Sequence, residues 1–231
     1  MRIIGKIAAA ALTLASVFFP LHAQSDHYEG NIFAGAKGGV TVSRIFFNPS
    51  VPQGMKPGGM AGVMFRYIEE NHFGLIAELN FEQRGWKESF KDTDFRYSRT
   101  LNYLQIPVLA HIYFGSPRVH FFINAGPEVG FMLGESTSAN FDPEQIQSIP
   151  DFPLHGRQVA QLTLPAEPKV DFGISAGLGA ELFTDGKGSI TIEGRFYYGL
   201  GNTVECGRTR NFSSANAMSV MASIGYWFRL K

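Results

Sequence analysis

The stretch Leu101–Phe114, LNYLQIPVLAHIYF, alternates. From Leu104 onward the even positions are Leu104, Ile106, Val108, Ala110, Ile112 and Phe114; the odd ones are Gln105, Pro107, Leu109, His111 and Tyr113. A repeat of two sends successive side chains to opposite faces of a β-strand, and about ten such residues, tilted, cross a bilayer. One face here is purely apolar. The other must look into something besides lipid, so the chain has to enclose a second environment of its own.

The same repeat recurs along the chain. Residues 32–45 set Ala34, Ala36, Gly38, Val40 and Val42 against Phe33, Gly35, Lys37, Gly39, Thr41 and Ser43, and residues 59–69 set Ala61, Val63, Phe65 and Tyr67 against Gly62, Met64 and Arg66. The contrast is sharpest in residues 73–86, where Phe73, Leu75, Ala77, Leu79 and Phe81 oppose Glu78, Asn80, Glu82 and Arg84. After the strand at 101–114, residues 119–134 oppose Phe121, Ile123, Ala125, Val129 and Phe131 to His120, Asn124, Gly126, Glu128 and Gly130. Residues 170–183 oppose Phe172, Ile174, Ala176, Leu178, Ala180 and Leu182 to Asp171, Gly173, Ser175, Gly177, Gly179 and Glu181. The seventh strand carries Ile190, Ile192, Phe196, Tyr198 and Leu200 against Thr191, Glu193, Arg195 and Tyr197. The eighth carries Met218, Val220, Ala222, Ile224, Tyr226 and Phe228 against Ser219, Ser223, Gly225 and Trp227.

Between these strands, proline and glycine interrupt pairing. The breaks alternate in length: long around 47–57, 87–94, 135–168 and the segment holding Cys206, short at 69–72, 115–118 and 184–188. Long loops outside and short turns in the periplasm are the habit of outer-membrane barrels, and an even strand number returns both ends to the periplasm. The expected fold is all-β: an eight-stranded, antiparallel, up-and-down transmembrane β-barrel, with 135–168 as its main extracellular loop. Pro107 is the irregularity; a proline inside a paired strand predicts a local bulge. Within the long loop, residues 159–164 are expected to extend a hairpin beyond the bilayer.

Charge placement tests the lipid-facing reading. A lysine or arginine facing lipid at mid-bilayer costs roughly 2–4 kcal/mol. Lys37, Arg66, Glu78, Glu82, Arg84, Glu128, Asp171, Glu181, Glu193 and Arg195 all share the phase opposite the large aliphatics. A soluble lipocalin-like barrel would invert the faces, with apolar residues around a ligand and charges in water. The glycines on the charged face, Gly126, Gly130, Gly173, Gly177 and Gly179, suit a crowded lumen instead. The ten charges are expected to pair as a structural polar network filling that lumen, because buried charges need partners.

Residues 1–23 read as a secretory signal peptide: Arg2 and Lys6, an apolar run from Ile7 to Phe19, Pro20, and a small residue at Ala23, with residues 24–231 as the barrel domain. Cys206 is the one cysteine, which excludes an internal disulfide. Twenty basic and twenty acidic side chains leave no net charge to draw nucleic acid.

Three stretches bear a family likeness: Asn102-Tyr-Leu-Gln-Ile-Pro107 followed by Val-Leu, then Ala125-Gly-Pro-Glu-Val-Gly-Phe131, then Asp171-Phe-Gly-Ile-Ser-Ala-Gly-Leu-Gly-Ala-Glu181. With Gly35-Ala-Lys-Gly-Gly39 before them, they resemble the PorT-type family of small outer-membrane β-barrel proteins. The resemblance covers nearly the whole chain after the signal and makes Pro107 an expected residue. Its namesake is an accessory of the type IX secretion system, so it implies a secretion role without specifying one. The ending Tyr226-Trp-Phe228, then Arg229-Leu-Lys231, is similar to the aromatic C-terminal signals of barrel insertion, with the terminal lysine a departure.

No residue is assigned to catalysis, cofactor or metal. The outward faces bring no serine, histidine and acid together, and His111 and His120 lack zinc spacing and read as polar lining. Gly177-Leu-Gly179 and Gly199-Leu-Gly201 precede no helix, so strand packing explains them. Tyr97, Tyr103, Tyr113, Tyr197, Tyr198, Tyr226 and Trp227 are the candidates for interfacial girdles, with register deciding among them. The expected function is a non-enzymatic integral outer-membrane barrel of a Gram-negative bacterium, structural or secretion-accessory; a narrow channel and a lipid-modifying enzyme are the alternatives. Expected partners are outer-membrane lipid, the barrel-insertion machinery, and secretion-system proteins at extracellular or periplasmic surfaces; no cofactor is expected.

Overall fold

A computed structural model describes residues 30–90, 93–150, 152–154, 157–184 and 188–230. The signal-peptide stretch and the centre of the 184–188 turn lie outside these residues. The chain is almost entirely strand: β1 Asn31–Asn48, β2 Gln53–Gly54, β3 Lys56–Glu70, β4 Phe73–Glu88, β5 Tyr97–Ser116, β6 Val119–Ala139, β7 Val170–Phe183, β8 Gly188–Asn202 and β9 Ser214–Arg229. Apart from the two-residue β2, which pairs only with the end of β4, these are the eight expected strands. Each pairs antiparallel with its sequence neighbours. β9 pairs back onto β1, from Phe33 opposite Arg229 to Asn48 opposite Ser214, and β4 pairs with β5, so the sheet closes into a ring with no free edge. No described helix is long and apolar enough to cross a membrane.

The short connections are tight. Asn71 and His72 join β3 to β4, and His72 takes the left-handed conformation, with φ of 75°. Pro117 and Arg118 join β5 to β6, and the Thr184 N–H donates to the Gly188 carbonyl across the third turn. The long connections follow β1, β4, β6 and β8, all at the opposite end.

Three local expectations are corrected. Pro107 makes no bulge: pairing with β4 is interrupted between Ala77–Val108 and Asn80–Gln105, but the register is the same on both sides. The lost ladder hydrogen bond is absorbed in place, and the one shift on β5 lies at Asn102–Tyr103. Residues 159–164 form no hairpin, since Ala160–Leu162 is a single 3-10 turn folded down over the barrel. The strands also run longer than their clean alternation: β6 reaches Ala139 and β5 begins at Tyr97, so the main loop starts after residue 139 rather than at 135.

Burial tells which face is inside. On β4, Glu78, Asn80, Glu82 and Arg84 are buried, while Phe73, Leu75, Leu79 and Phe81 are exposed on the outer surface. The same holds around the ring, with Leu178, Ile192, Ile224 and Val40 each about three-fifths exposed or more. A belt of exposed aliphatics and phenylalanines this continuous is the surface of a protein whose solvent is hydrocarbon. Of the seven girdle candidates, Tyr198 and Tyr226 face outward; Tyr97, Tyr103, Tyr197 and Trp227 are buried inside and Tyr113 faces the lumen.

Candidate functional site

All ten predicted lumen charges are buried and face inward. They gather into three tiers along the barrel axis. In the tier nearest the short turns, Arg66 on β3 grips Glu181 on β7 with two hydrogen bonds of 2.6 and 2.8 Å, and the Ser189 hydroxyl also donates to Glu181. The Arg66 guanidinium lies 4.3 Å from the Phe33 ring centroid and 4.6 Å from that of Trp227, so its faces are covered by rings.

The middle tier crosses from β4 to β8. Arg195 donates to both oxygens of Glu78, at 2.7 and 2.8 Å, and to both oxygens of Glu193 at 2.9 Å. Lys37 binds Glu78 at 2.7 Å and lies 3.7 Å from Glu193. Asn80 and Asn124 donate to these same two carboxylates, and Asn124 in turn meets His111 Nδ1 at 2.7 Å. Two cations and two anions close on one another here, which is how buried charges are tolerated.

The upper tier is unequal. Arg84 alone faces three carboxylates: Glu82 at 2.8 Å, Glu128 at 2.6 Å and Asp171 at 3.5 Å. Hydroxyls make up the difference in hydrogen bonds. Ser219 donates to Glu82 at 3.0 Å, Tyr197 to Asp171 at 2.7 Å, and Ser175 to Glu128. The Gln105 amide, with its oxygen toward Arg84, accepts from both terminal guanidinium nitrogens at 2.9 Å and donates to Glu128 at 3.0 Å.

These networks leave little space. A void bordered by Lys37, Glu78, His111, Asn124 and Glu193 holds about 10 Å³, room for about one water. The lumen glycines make the crowding feasible: a Cβ on Gly173 would come within 2.6 Å of the Tyr197 ring, and one on Gly179 within 2.5 Å of Phe122. Toward the short turns lies a vestibule of about 140 Å³ in front of Arg66, where Tyr113 stacks between His72, at 5.9 Å, and His120, at 4.9 Å. Both lumen histidines are thus lining, engaged by Asn124 or by rings. Among the described residues no group of three or more His, Cys, Asp or Glu is placed to hold a metal.

Above the tiers, sequence reasoning missed a second core. Ile45, Phe47, Trp86, Tyr97, Leu101, Tyr103 and Phe212 are buried together with Ile146, Phe152 and Leu162 from the main loop. Phe90, Phe95, Phe141 and Phe152 meet edge to face or tilted, with centroids 5.0 to 6.1 Å apart. Polar ties hold the loop down: Tyr97 donates to the Leu162 carbonyl at 2.9 Å, Arg99 binds Glu135 at 2.6 Å and the Leu164 carbonyl, and Arg157 binds Glu88 at 2.6 Å. The signal for this core was present as the density of phenylalanine in residues 90–152, but it has no strand periodicity to reveal it. On its outer flank Arg99, Thr137, Phe141, Asp142, Glu144 and Thr163 line an open cleft of about 420 Å³. Cys206 lies in the neighbouring loop as a free, half-buried thiol, and burial pushes its pKa up, away from reactivity.

The architecture is that of known small barrels. The chain aligns over 88% of its length with the whole of Neisserial surface protein A, at a TM-score of 0.50 and 11% identity. It aligns over 86% of its length with 96% of the outer membrane protein OprG from Pseudomonas aeruginosa, at a TM-score of 0.49 and 12% identity. The likeness to Neisserial surface protein A is one of fold alone. No match is found among curated proteins. Residues 22–205 match the family described as outer membrane protein beta-barrel domain. An apolar outer belt, a charged lumen and this match agree, and the chain belongs to the outer membrane protein beta-barrel domain family, resident in the outer membrane.

Proposed function

We propose that the protein is a closed, non-enzymatic barrel that serves the outer membrane as a structural or secretion-accessory component, presenting its loop-built cap to a partner outside the cell. The observation that carries this reading is the continuous obstruction of the lumen: three tiers of ion pairs, then a hydrophobic cap tied to the rim by Tyr97, Arg99 and Arg157. An eight-stranded barrel is just wide enough for side chains to fill. Opening it to solutes would strand Glu78, Glu193 and Arg195 without partners, which buried charges resist. Charges committed to one another in pairs are poor candidates for acid–base work on a substrate. The resemblance of Asn102–Val108, Ala125–Phe131 and Asp171–Glu181 to the PorT-type family supports the secretion-accessory half of the reading.

Two measurements test it. Purified protein in planar bilayers is expected to show no steady single-channel conductance; reproducible open steps overturn the closed reading in favour of a narrow channel. A strain lacking the protein is expected to lose secreted cargo from the medium while its outer-membrane lipids keep their wild-type masses. Altered lipid masses with normal secretion would instead favour the lipid-modifying alternative.

A further inference from the structure

The lipid-facing surface has one charge out of place. On the outward positions of β1 and β3 to β9, between Glu69 at the periplasmic rim and Lys87 above the outer rim, Arg44 is the only charged side chain among the described residues. It sits where the apolar belt gives out. Below it on β1 come Val42 and Val40; above it come Phe46 and Asn48, opposite Asn216 and Ser214 of β9. The guanidinium lies 4.7 Å from the Phe46 ring centroid, and Phe46 lies 6.4 Å from Tyr198. Its Nε is buried and has no hydrogen-bond partner in the protein. Across the ladder, Lys56 stands opposite the inward-facing Ser43 and so belongs to the other face of the sheet, leaving Arg44 as the cation of this outer strip.

A second, independent feature lies farther down the same strand. Ala36 and Gly38 on β1, with Ile190, Ile224 and Tyr226, line an open apolar depression of about 420 Å³ on the outer surface. Val40 and Val42 connect it to Arg44 along the lipid-facing phase.

We propose that this strip of β1 is a binding site for a phosphate-bearing glycolipid of the outer leaflet, its phosphate on Arg44 and one acyl chain along Val42 and Val40 into the depression at Gly38. An arginine offers a planar fork of donors that matches phosphate oxygens, and its charge costs least at the membrane rim, where anionic headgroups lie. Phe46 and Tyr198 flank the headgroup as interfacial aromatics do. The phosphate supplies acceptors for the terminal guanidinium nitrogens, and Gly38 and Ala36 leave room for the chain end.

The test uses the full barrel in phosphatidylcholine nanodiscs doped with bisphosphorylated lipid A or with the same glycolipid enzymatically dephosphorylated, and native mass spectrometry counts the glycolipid retained. Wild type is expected to retain the phosphorylated form, and excess inorganic phosphate to leave it in place. Arg44→Gln is expected to lower retention about tenfold, the loss of one charge-assisted contact. Arg208→Gln, on an exposed loop, is expected to change nothing. Equal retention by wild type and Arg44→Gln, equal retention of both glycolipids by wild type, or an equal loss in Arg208→Gln overturns the site. Should Arg44→Gln not insert, Gly38→Leu reads the same strip from its acyl end. An added Cβ there meets nothing closer than 3.8 Å, and retention no lower than wild type overturns the site as well.

Discussion

The membrane-spanning wall and the cap above it are built from the same strands with opposite insides. Within the belt, β5 turns Gln105 and His111 inward and Ile106, Val108 and Ile112 outward; above the belt the same strand turns Tyr97 and Leu101 inward and Ser98, Thr100 and Asn102 outward. β9 does the same, with Ser219 and Ser223 inside the belt and Ala215 and Ala217 inside the cap. The backbone does not change between the two regions, but the solvent does. In hydrocarbon the outer face must be apolar, and the interior is left to polar groups that satisfy one another; in water the hydrophobic effect returns and the interior becomes apolar. One β-barrel therefore holds two cores of different physics stacked end to end.

The two cores fail differently. Arg195→Ala should have the largest effect, because it leaves Glu78 and Glu193 buried against Lys37 alone, and breaking a buried pair costs about 3–5 kcal/mol. The barrel band on unheated gels should then convert to the unfolded position at a markedly lower temperature in detergent. Wild-type heat resistance in this variant would sink the structural reading of the network. Phe212→Ala removes a fully buried ring from the cap, worth about 3 kcal/mol or more, yet the loss should stay above the membrane. Limited proteolysis is expected to cut the extracellular loops while the barrel keeps its melting temperature; a matching fall in barrel stability would mean the two cores are one.

Smaller changes sharpen the boundary. Tyr97→Phe removes the hydroxyl that ties β5 to the Leu162 carbonyl and should loosen the main loop by about 1 kcal/mol, read as faster amide exchange around residues 160–164. The smallest effect is one of pH. Burial pushes the Glu88 carboxyl above its usual range, despite the opposing Arg157 and Gln161 contacts. A folded-state pKa above the unfolded one gives stability that is present below the ordinary glutamate range and lost as pH rises through the raised value. Cap protection should therefore weaken modestly on going from acid toward neutral pH, and Glu88→Gln should flatten that dependence.

How far the sequence carried differs between the two regions for the same reason. Alternation identified all eight wall strands and put Lys37, Arg66, Arg84, Arg195 and the six acids on the inner face, because lipid enforces a strict contrast between faces. Where the solvent changes to water that contrast reverses, so the extensions of β5 and β6 read as loop and the cap was invisible. Which acid meets which base was not legible either. Arg66 and Glu181 lie 115 residues apart, and their meeting depends on how far each strand is slid around the ring, a quantity no local pattern encodes. Pro107 misled for a related reason: its missing N–H is a local defect, but the ladders on either side hold the strand in register. Arg44 was legible too, since it continues the outward phase of Val40 and Val42.

The seam between β1 and β9 bears on how such a wall is assembled. Phe33 pairs with Arg229, so the first strand's partner is the last to be made. Every other neighbour pairing is short in sequence and can form as a hairpin as soon as both strands exist. Until β9 arrives, β1 presents a bare edge, the most association-prone feature a sheet can have. Joining ends this far apart carries the largest loop-closure penalty in the molecule and comes after the local hairpins. Completion of this barrel is thus a timing problem: the chain must be kept from strangers along one edge for as long as it takes its own final strand to be delivered.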